Sequence, residues 1–122
     1  MKIIIDDKIP YIRESVAALG ADAVYKKGSE IGPADVRDAD ALIVRTRTRC
    51  DEALLGGSSV SFVATATIGF DHIDAGYMRR AGIEWMSCPG CNASSVAQYV
   101  RSVLLLMRYR LGAALGGMTL GI

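Results

Sequence analysis

Two short segments of the chain contain the residue types that bind anions. The first is the run Arg-Thr-Arg-Thr-Arg at residues 45–49, which follows an apolar stretch and carries three guanidinium groups and two hydroxyls. Guanidinium groups bind carboxylates and phosphates through paired hydrogen bonds. If the segment stays extended, its arginines point to one side and its threonines to the other. It predicts an anion site, with a solvated basic loop as the alternative.

The second segment is Thr-Ala-Thr-Ile-Gly-Phe-Asp-His-Ile-Asp at residues 65–74. Small residues and Gly69 allow a turn whose backbone N–H groups are exposed before a helix, an arrangement that binds anions. Asp71 would then hold the turn or cap the helix. The alternative is an ordinary connection between a strand and a helix.

The remaining reactive side chains give weaker signals. His72 is the only histidine, and no serine or cysteine nucleophile is paired with it in the sequence, so we do not expect it to be a catalytic base. Cys88-Pro-Gly-Cys91 precedes a helix, as redox and zinc motifs do. A zinc site would need two further ligands, and only Cys50 and His72 remain. We therefore predict no metal site and interpret this motif as a Pro-Gly turn.

The elements that position these segments alternate between strand and helix. Alternation of this kind indicates an α/β fold with a doubly wound, flavodoxin-like parallel sheet of about five strands flanked by helices. Such sheets bind ligands beyond the carboxyl ends of their strands, which is where both polar segments fall. The predicted strands are residues 2–6, 23–25, 41–45, 60–65 and 83–86; the predicted helices are 10–19, 33–38, 51–55 and a segment capped by Asp71 or Asp74 that ends before Gly82.

A longer helix is predicted after the last of these strands. Asn92 is a suitable cap, and apolar residues recur at helical spacing through residues 93–111. Gly116-Gly117 follows, and residues 118–122 then read as the start of another strand.

Composition excludes several classes of protein. The chain has 122 residues, of which 51% are apolar and 22% charged, enough for one folded core. A formal charge of +1 argues against a nucleic-acid partner. Neither a signal peptide nor a membrane-spanning segment is apparent, so we expect a cytoplasmic protein with reduced thiols. There is no complete glycine fingerprint for a dinucleotide and no P-loop.

A phospho-receiver signalling domain is the second interpretation. The length, the alternation and Asp6-Asp7 after the first strand are similar to that class. However, Arg45 stands where the phospho-accepting aspartate should follow the third strand, and Ser87 follows the fifth strand where a lysine is needed.

Several strings resemble the N-terminal substrate-binding domain of the D-isomer-specific 2-hydroxyacid dehydrogenases. The resemblance covers essentially the whole chain and is strongest for the member that oxidises 4-phospho-D-erythronate. The strings, in order along the chain, are residues 44–48, 64–74, 81–83, 89–93 and 96–100.

The resemblance implies an NAD-dependent oxidation of a phosphorylated hydroxy acid, 4-phospho-D-erythronate, to its 2-oxo acid in pyridoxal phosphate biosynthesis. It implies that Thr46 and Thr67 contact the substrate, that the backbone amides of Ile68 and Gly69 hold its carboxylate, and that Arg45 supplies positive charge. The family pattern Arg-Ser-x-Thr is altered here, because Thr46 replaces the serine. The resemblance assigns no role to Arg47 or Arg49.

The resemblance also implies a division into two parts. Residues 1–92 correspond to the substrate-binding domain, and residues 93–122 to a connecting helix and the first strand of an NAD-binding Rossmann domain. The family's catalytic arginine, glutamate and histidine correspond to positions after Ile122, and His72 does not match that histidine. We therefore expect the chain alone to be inactive and the full-length enzyme to be a homodimer.

Overall fold

Five apolar runs of the sequence form the strands of one sheet. In the computed structural model, which describes residues 1–112, 114–119 and 121, the strands are β1 (Lys2–Asp6), β2 (Asp22–Lys26), β3 (Ala41–Val44), β4 (Phe62–Thr65) and β5 (Glu84–Met86). All four neighbouring pairs are parallel, in the order β2-β1-β3-β4-β5. This order is the flavodoxin-like one, so the predicted fold class is confirmed.

Short helices connect the strands across both faces of the sheet. They are α1 (Ile12–Ala17), α2 (Pro33–Val36), α3 (Glu52–Leu55) and α4 (Ala75–Ala81), and a single 3-10 turn covers Gly28–Glu30. Several are shorter than predicted; α1 begins only at Ile12 because Tyr11 has a left-handed backbone with φ 59°. Strands β3, β4 and β5 are also shorter than predicted by one or two residues.

The three central strands, β1, β3 and β4, are largely buried because their residues alternate between two apolar clusters on opposite faces of the sheet. Ile4, Leu42 and Val63 belong to the larger cluster, which also contains apolar residues of α2, α3 and α4. Ile3 and Ile5 point to the other face and pack with Val16 of α1. Alternation with a period of two is what a strand covered on both faces requires.

Helix α4 begins and ends at residues that the sequence indicated as a possible cap and a stop. The Asp74 carboxylate accepts a hydrogen bond from the backbone N–H of Tyr77 at 2.9 Å, so Asp74, and not Asp71, is the cap. The helix ends at Gly82, which adopts a left-handed conformation with φ 70°. Asp74 therefore marks the end of the loop after β4, and Gly82 marks the end of the helix that follows it.

The chain divides into two compact units, residues 1–89 and 90–122. The second unit contains the predicted long helix, α5 (Ala93–Leu111), which starts after Asn92 although the Asn92 side chain makes no capping hydrogen bond. Of the strand predicted over residues 118–122, Met118, Thr119 and Gly121 are not in a strand and the other two positions lie outside the described residues. No helix in the described part of the chain has the length and apolar character needed to cross a membrane.

Candidate functional site

Two loops meet at the carboxyl edge of the sheet. The backbone N–H of Cys50 donates to the carbonyl of His72 at 2.8 Å, and the N–H of Asp74 donates to the carbonyl of Cys50 at 2.9 Å. These bonds form one parallel bridge between Cys50 and Ile73. The bridge holds the loop after β3 beside the loop after β4, so the two polar segments are neighbours.

An open cleft lies between the two loops. It has a volume of about 350 Å³ and is lined by Thr46, Arg49, Gly69, Asp71 and His72. The cleft thus brings together Thr46 and Gly69, two of the predicted substrate-binding residues. The structure adds Arg49, Asp71 and His72 to them, three residues to which the resemblance assigned no contact with the substrate.

The loop after β3 is a turn, so the extended geometry that would separate arginines from threonines is not present. The backbone N–H of Thr48 donates to the carbonyl of Arg45 at 3.3 Å, which reverses the chain direction. Thr48 is buried and its hydroxyl donates to the carbonyl of Gly28 at 2.8 Å. Arg49 instead donates from Nε to the carboxylate of Asp51 at 2.9 Å. The arginines and threonines therefore do not form two opposite rows.

Arg45 is bound to a buried carboxylate. Its Nε donates to Oδ2 of Asp6 at 3.2 Å, and only 1% of the Asp6 side chain is exposed. The other carboxylate oxygen, Oδ1, accepts the backbone N–H of Lys8 at 2.9 Å. Since an unpaired buried carboxylate is costly, Arg45 compensates the charge of Asp6 in the fold. Its predicted contact with substrate stays a prediction.

The loop after β4 contains a row of hydrogen-bonded side chains. Nε2 of His72 lies 2.9 Å from Oγ1 of Thr65, which lies 2.7 Å from Oγ1 of Thr67. The Thr67 hydroxyl donates to the carbonyl of Gly69 at 2.9 Å. Burial lowers the pKa of His72 below its usual 6.5, and the charge of Asp71 opposes this shift only in part. His72 is therefore mostly neutral at neutral pH.

The tip of this loop offers backbone donors to a ligand. Ile68 and Gly69 are both exposed, and within the described residues no acceptor binds either backbone N–H. Successive backbone N–H groups without acceptors are donors of the kind that bind a carboxylate. This arrangement supports the predicted role of both residues without identifying the ligand.

The cysteines take no part in the cleft. Cys50 is buried, and its burial raises the pKa of its thiol to about 12. Cys88 and Cys91 are free and exposed. Among the described residues, no three side chains of the metal-binding types are grouped together.

The resemblance to the dehydrogenase family assigned no site role to Asp6 or Thr65. Both are inward-facing polar residues at the last position of a buried strand. A polar residue at the end of a buried strand is a signal that could have been used, because a buried polar side chain needs a hydrogen-bond partner nearby.

Sequence comparison places the chain within a known family. The family described as "D-isomer specific 2-hydroxyacid dehydrogenase, catalytic domain" matches residues 3–119. Erythronate-4-phosphate dehydrogenase of Bacteroides fragilis is 56% identical over the whole chain, which covers 35% of that protein. The protein of the same name from Citrobacter koseri is 47% identical, again over the whole chain and 32% of its own length. The chain thus spans about a third of the curated relatives it matches.

Solved structures show the same fold. The TT0316 protein of Thermus thermophilus superposes with a TM-score of 0.73 at 22% identity, over all of this chain and 43% of that one. The D-lactate dehydrogenase of Aquifex aeolicus, solved with NAD and lactic acid, gives 0.67 at 23% identity, over 91% of this chain and 34% of its own. Together with the match over residues 3–119, the sheet order and the loops at its carboxyl edge identify the chain as a member of the D-isomer specific 2-hydroxyacid dehydrogenase family.

Proposed function

We propose that this chain is the substrate-binding part of an NAD-dependent dehydrogenase that oxidises 4-phospho-D-erythronate to its 2-oxo acid. The identity of 56% to a relative named for this substrate, over every residue of the chain, supports the choice within the family. We assign this reaction to pyridoxal phosphate biosynthesis and the protein to the cytoplasm.

The observation that carries the proposal is the pair of free backbone N–H groups beside the cleft. The substrate has a carboxylate next to the carbon that is oxidised. Ile68 and Gly69 supply two donors for that carboxylate, and Thr46 lines the same cleft with a third. Fixed donors of this kind bind and orient a small acid with little reorganisation.

Oxidation of the hydroxyl carbon transfers a hydride to the nicotinamide of NAD⁺ and a proton to a base. We assign the base and the NAD site to the part of the relatives that this chain does not match, because the chain has no complete glycine fingerprint. The same proposal divides the chain: residues 1–92 bind the substrate, and residues 93–122 connect to the nucleotide-binding domain. It also includes a homodimer for the full-length enzyme. The 122 residues alone then have no turnover.

A chimeric enzyme tests the proposal. Residues 1–122 replace the matched 35% of the Bacteroides fragilis relative, which contributes the rest of its length. We expect the chimera to reduce NAD⁺ with 4-phospho-D-erythronate, and the 122-residue chain alone to be inactive. A folded chimera that binds NAD⁺ but does not oxidise this substrate would refute the substrate assignment. Turnover by the chain alone would refute the assignment of base and cofactor.

The receiver interpretation has a specific observation against it. In a receiver, the carboxylates after β1 hold Mg²⁺, whereas here the Asp6 carboxylate is neutralised by Arg45 at 3.2 Å. Intact-mass measurement after incubation with acetyl phosphate and Mg²⁺ should show no added phosphoryl group.

A further inference from the structure

Four groups at the end of β4 and in the loop after it form one continuous row of hydrogen bonds. The row runs from Nε2 of His72 through the hydroxyls of Thr65 and Thr67 to the carbonyl of Gly69, with separations of 2.9, 2.7 and 2.9 Å. Only 1% of Thr65 is exposed, so water does not replace its partners. The Thr67 end of the row reaches the predicted substrate-binding turn, residues 67–69.

Counting hydrogens fixes the direction of the row. A carbonyl oxygen only accepts, so the single hydrogen of the Thr67 hydroxyl must go to Gly69. Thr67 then accepts in its bond with Thr65, which uses the single hydrogen of Thr65. Thr65 can only accept from His72, so Nε2 of the imidazole must carry a hydrogen.

This direction does not depend on the charge of the imidazole. Nε2 donates both in the neutral Nε2–H tautomer and in the imidazolium. The charged groups that line the cleft with His72 are Asp71 and Arg49, and they alter the balance between these two forms without reversing the row. The row therefore keeps one direction across the titration of His72.

We propose that Thr65 and His72 are positioning residues that hold the substrate-binding turn and make the Thr67 hydroxyl a hydrogen-bond acceptor toward the ligand. The Thr67 hydrogen is committed to Gly69, so its free lone pair receives a hydrogen from a substrate hydroxyl. The substrate carboxylate is bound by the backbone N–H groups of Ile68 and Gly69. This division of roles rests on the proposed function, whereas the direction of the row does not.

The turn is also anchored through its backbone. The carbonyl of Thr67 accepts the backbone N–H of Cys88 at 3.2 Å, just beyond β5. The row supplies the side-chain half of this support. Without it, the turn keeps its backbone bond to Cys88 but loses the side-chain bond that restrains the backbone of Gly69 through its carbonyl.

Nitrogen NMR of the imidazole tests the direction of the row without any substrate. Because the chain has one histidine, ¹⁵N-labelled protein gives a single pair of imidazole nitrogen signals. Above the pKa of His72 we expect hydrogen on Nε2. Hydrogen on Nδ1, or equal populations of both tautomers, would overturn the inference. Thr65→Ser should keep the Nε2 hydrogen protected from exchange with water, whereas Thr65→Val should speed its exchange, because Nε2 loses its acceptor. Equal exchange in Thr65→Val and in the parent chain would also overturn the inference.

Kinetics of the chimera test the positioning role. We expect His72→Leu to raise KM roughly tenfold with little change in kcat, because the turn binds the carboxylate equally in ground and transition states. His72→Gln, which restores an N–H donor, should recover most of that loss. No recovery by Gln, or a loss confined to kcat, would contradict the role. A chimera that folds and binds NAD⁺ but is inactive from the outset refutes the proposed function, while the tautomer still decides this inference.

Discussion

At the scale of single residues, the site is built from polar side chains that the fold has already partnered. Thr67 donates to Gly69, Thr48 donates to Gly28, and Arg45 donates to Asp6. Each bond fixes one atom of a loop, and the groups that face a ligand include the backbone N–H groups of Ile68 and Gly69 and the side chain of Thr46. Substitutions should therefore separate residues that touch substrate from residues that hold the loops.

Thr67→Val tests a residue that we place at the substrate. Valine has the shape of threonine without its hydroxyl, so the hydrogen bond to the ligand is lost together with those to Thr65 and Gly69. In the chimera we expect kcat/KM for 4-phospho-D-erythronate to fall by roughly tenfold or more. Thr67→Ser keeps the hydroxyl and is the control. An unchanged kcat/KM in Thr67→Val would count against Thr67 as a site residue.

Arg45→Met tests a residue with a structural bond. It leaves the buried Asp6 carboxylate without its cation, so we expect the free energy of unfolding to fall by about 2–4 kcal/mol, allowing for the partial exposure of Arg45. Adding Asp6→Asn should recover much of the loss, because no buried charge remains. Urea unfolding of the single and double variants makes the comparison. Equal stability of Arg45→Met and the parent chain would refute the structural role.

His72 gives the stability of the chain a pH dependence of known sign. Burial lowers the pKa of His72, so the unfolded chain takes up the proton more readily than the folded one. The free energy of unfolding should be unaffected by this group above its usual pKa of 6.5. It should fall as the pH drops from there through the lowered pKa.

Urea midpoints over this interval measure the effect, with His72→Gln as the control that lacks the titration. Asp35 and Asp38 have pKa values lowered by hydrogen bonds to Lys26 and Lys2, so their stabilisation is lost only below their usual 3.8. A midpoint that rises on acidification from pH 6.5 in the parent chain alone would contradict the shift.

At the scale of elements, the sheet positions the site by close approach of loops from different strands. Gly28 lies against the ends of β1 and the loop after β3. A Cβ added there would lie 2.6 Å from Oδ2 of Asp6 and 3.1 Å from Oγ1 of Thr48. No side chain fits at this position without displacing the group that holds Arg45.

Gly28→Ala should therefore destabilise the chain by about 1–3 kcal/mol. Gly116→Ala is a matched control, because nothing lies within 4 Å of its added Cβ. Thermal unfolding of both variants gives the comparison. A Gly28→Ala chain as stable as the control would show that the Asp6 and Thr48 side chains can move freely.

The elements differed in how well the sequence predicted them. Strands β1 and β3 are short apolar runs rich in β-branched residues, and α5 has helical periodicity over many turns, so local pattern was sufficient. The turn at residues 45–48 was not predicted because the run contains none of the Gly, Pro, Asn or Asp residues that usually mark a turn. The ion pair of Arg45 was missed because its partner, the Asp6 carboxylate, is 39 residues away. The direction of the Thr65 hydroxyl likewise depends on His72, which no periodicity reveals.

At the scale of the whole molecule, the family and fold class followed from strings of residues spread along the chain. The order β2-β1-β3-β4-β5 confirmed the fold, and the match over residues 3–119 confirmed the family. The site could be located at the carboxyl edge from the strand pattern alone. Its individual contacts required the structure, because they join residues from β1, β3 and β4 that are distant in sequence.

The central claim is that the cleft between the loops after β3 and β4 binds the carboxylate of a phosphorylated hydroxy acid. Its most direct test is an amide NMR titration of the 122-residue chain with 4-phospho-D-erythronate, compared with erythritol 4-phosphate, which has the phosphate but no carboxylate. We predict saturable shifts centred on Thr46, Ile68 and Gly69 with the first ligand only. Shifts centred on other residues, equal shifts with both ligands, or no shifts would contradict the claim.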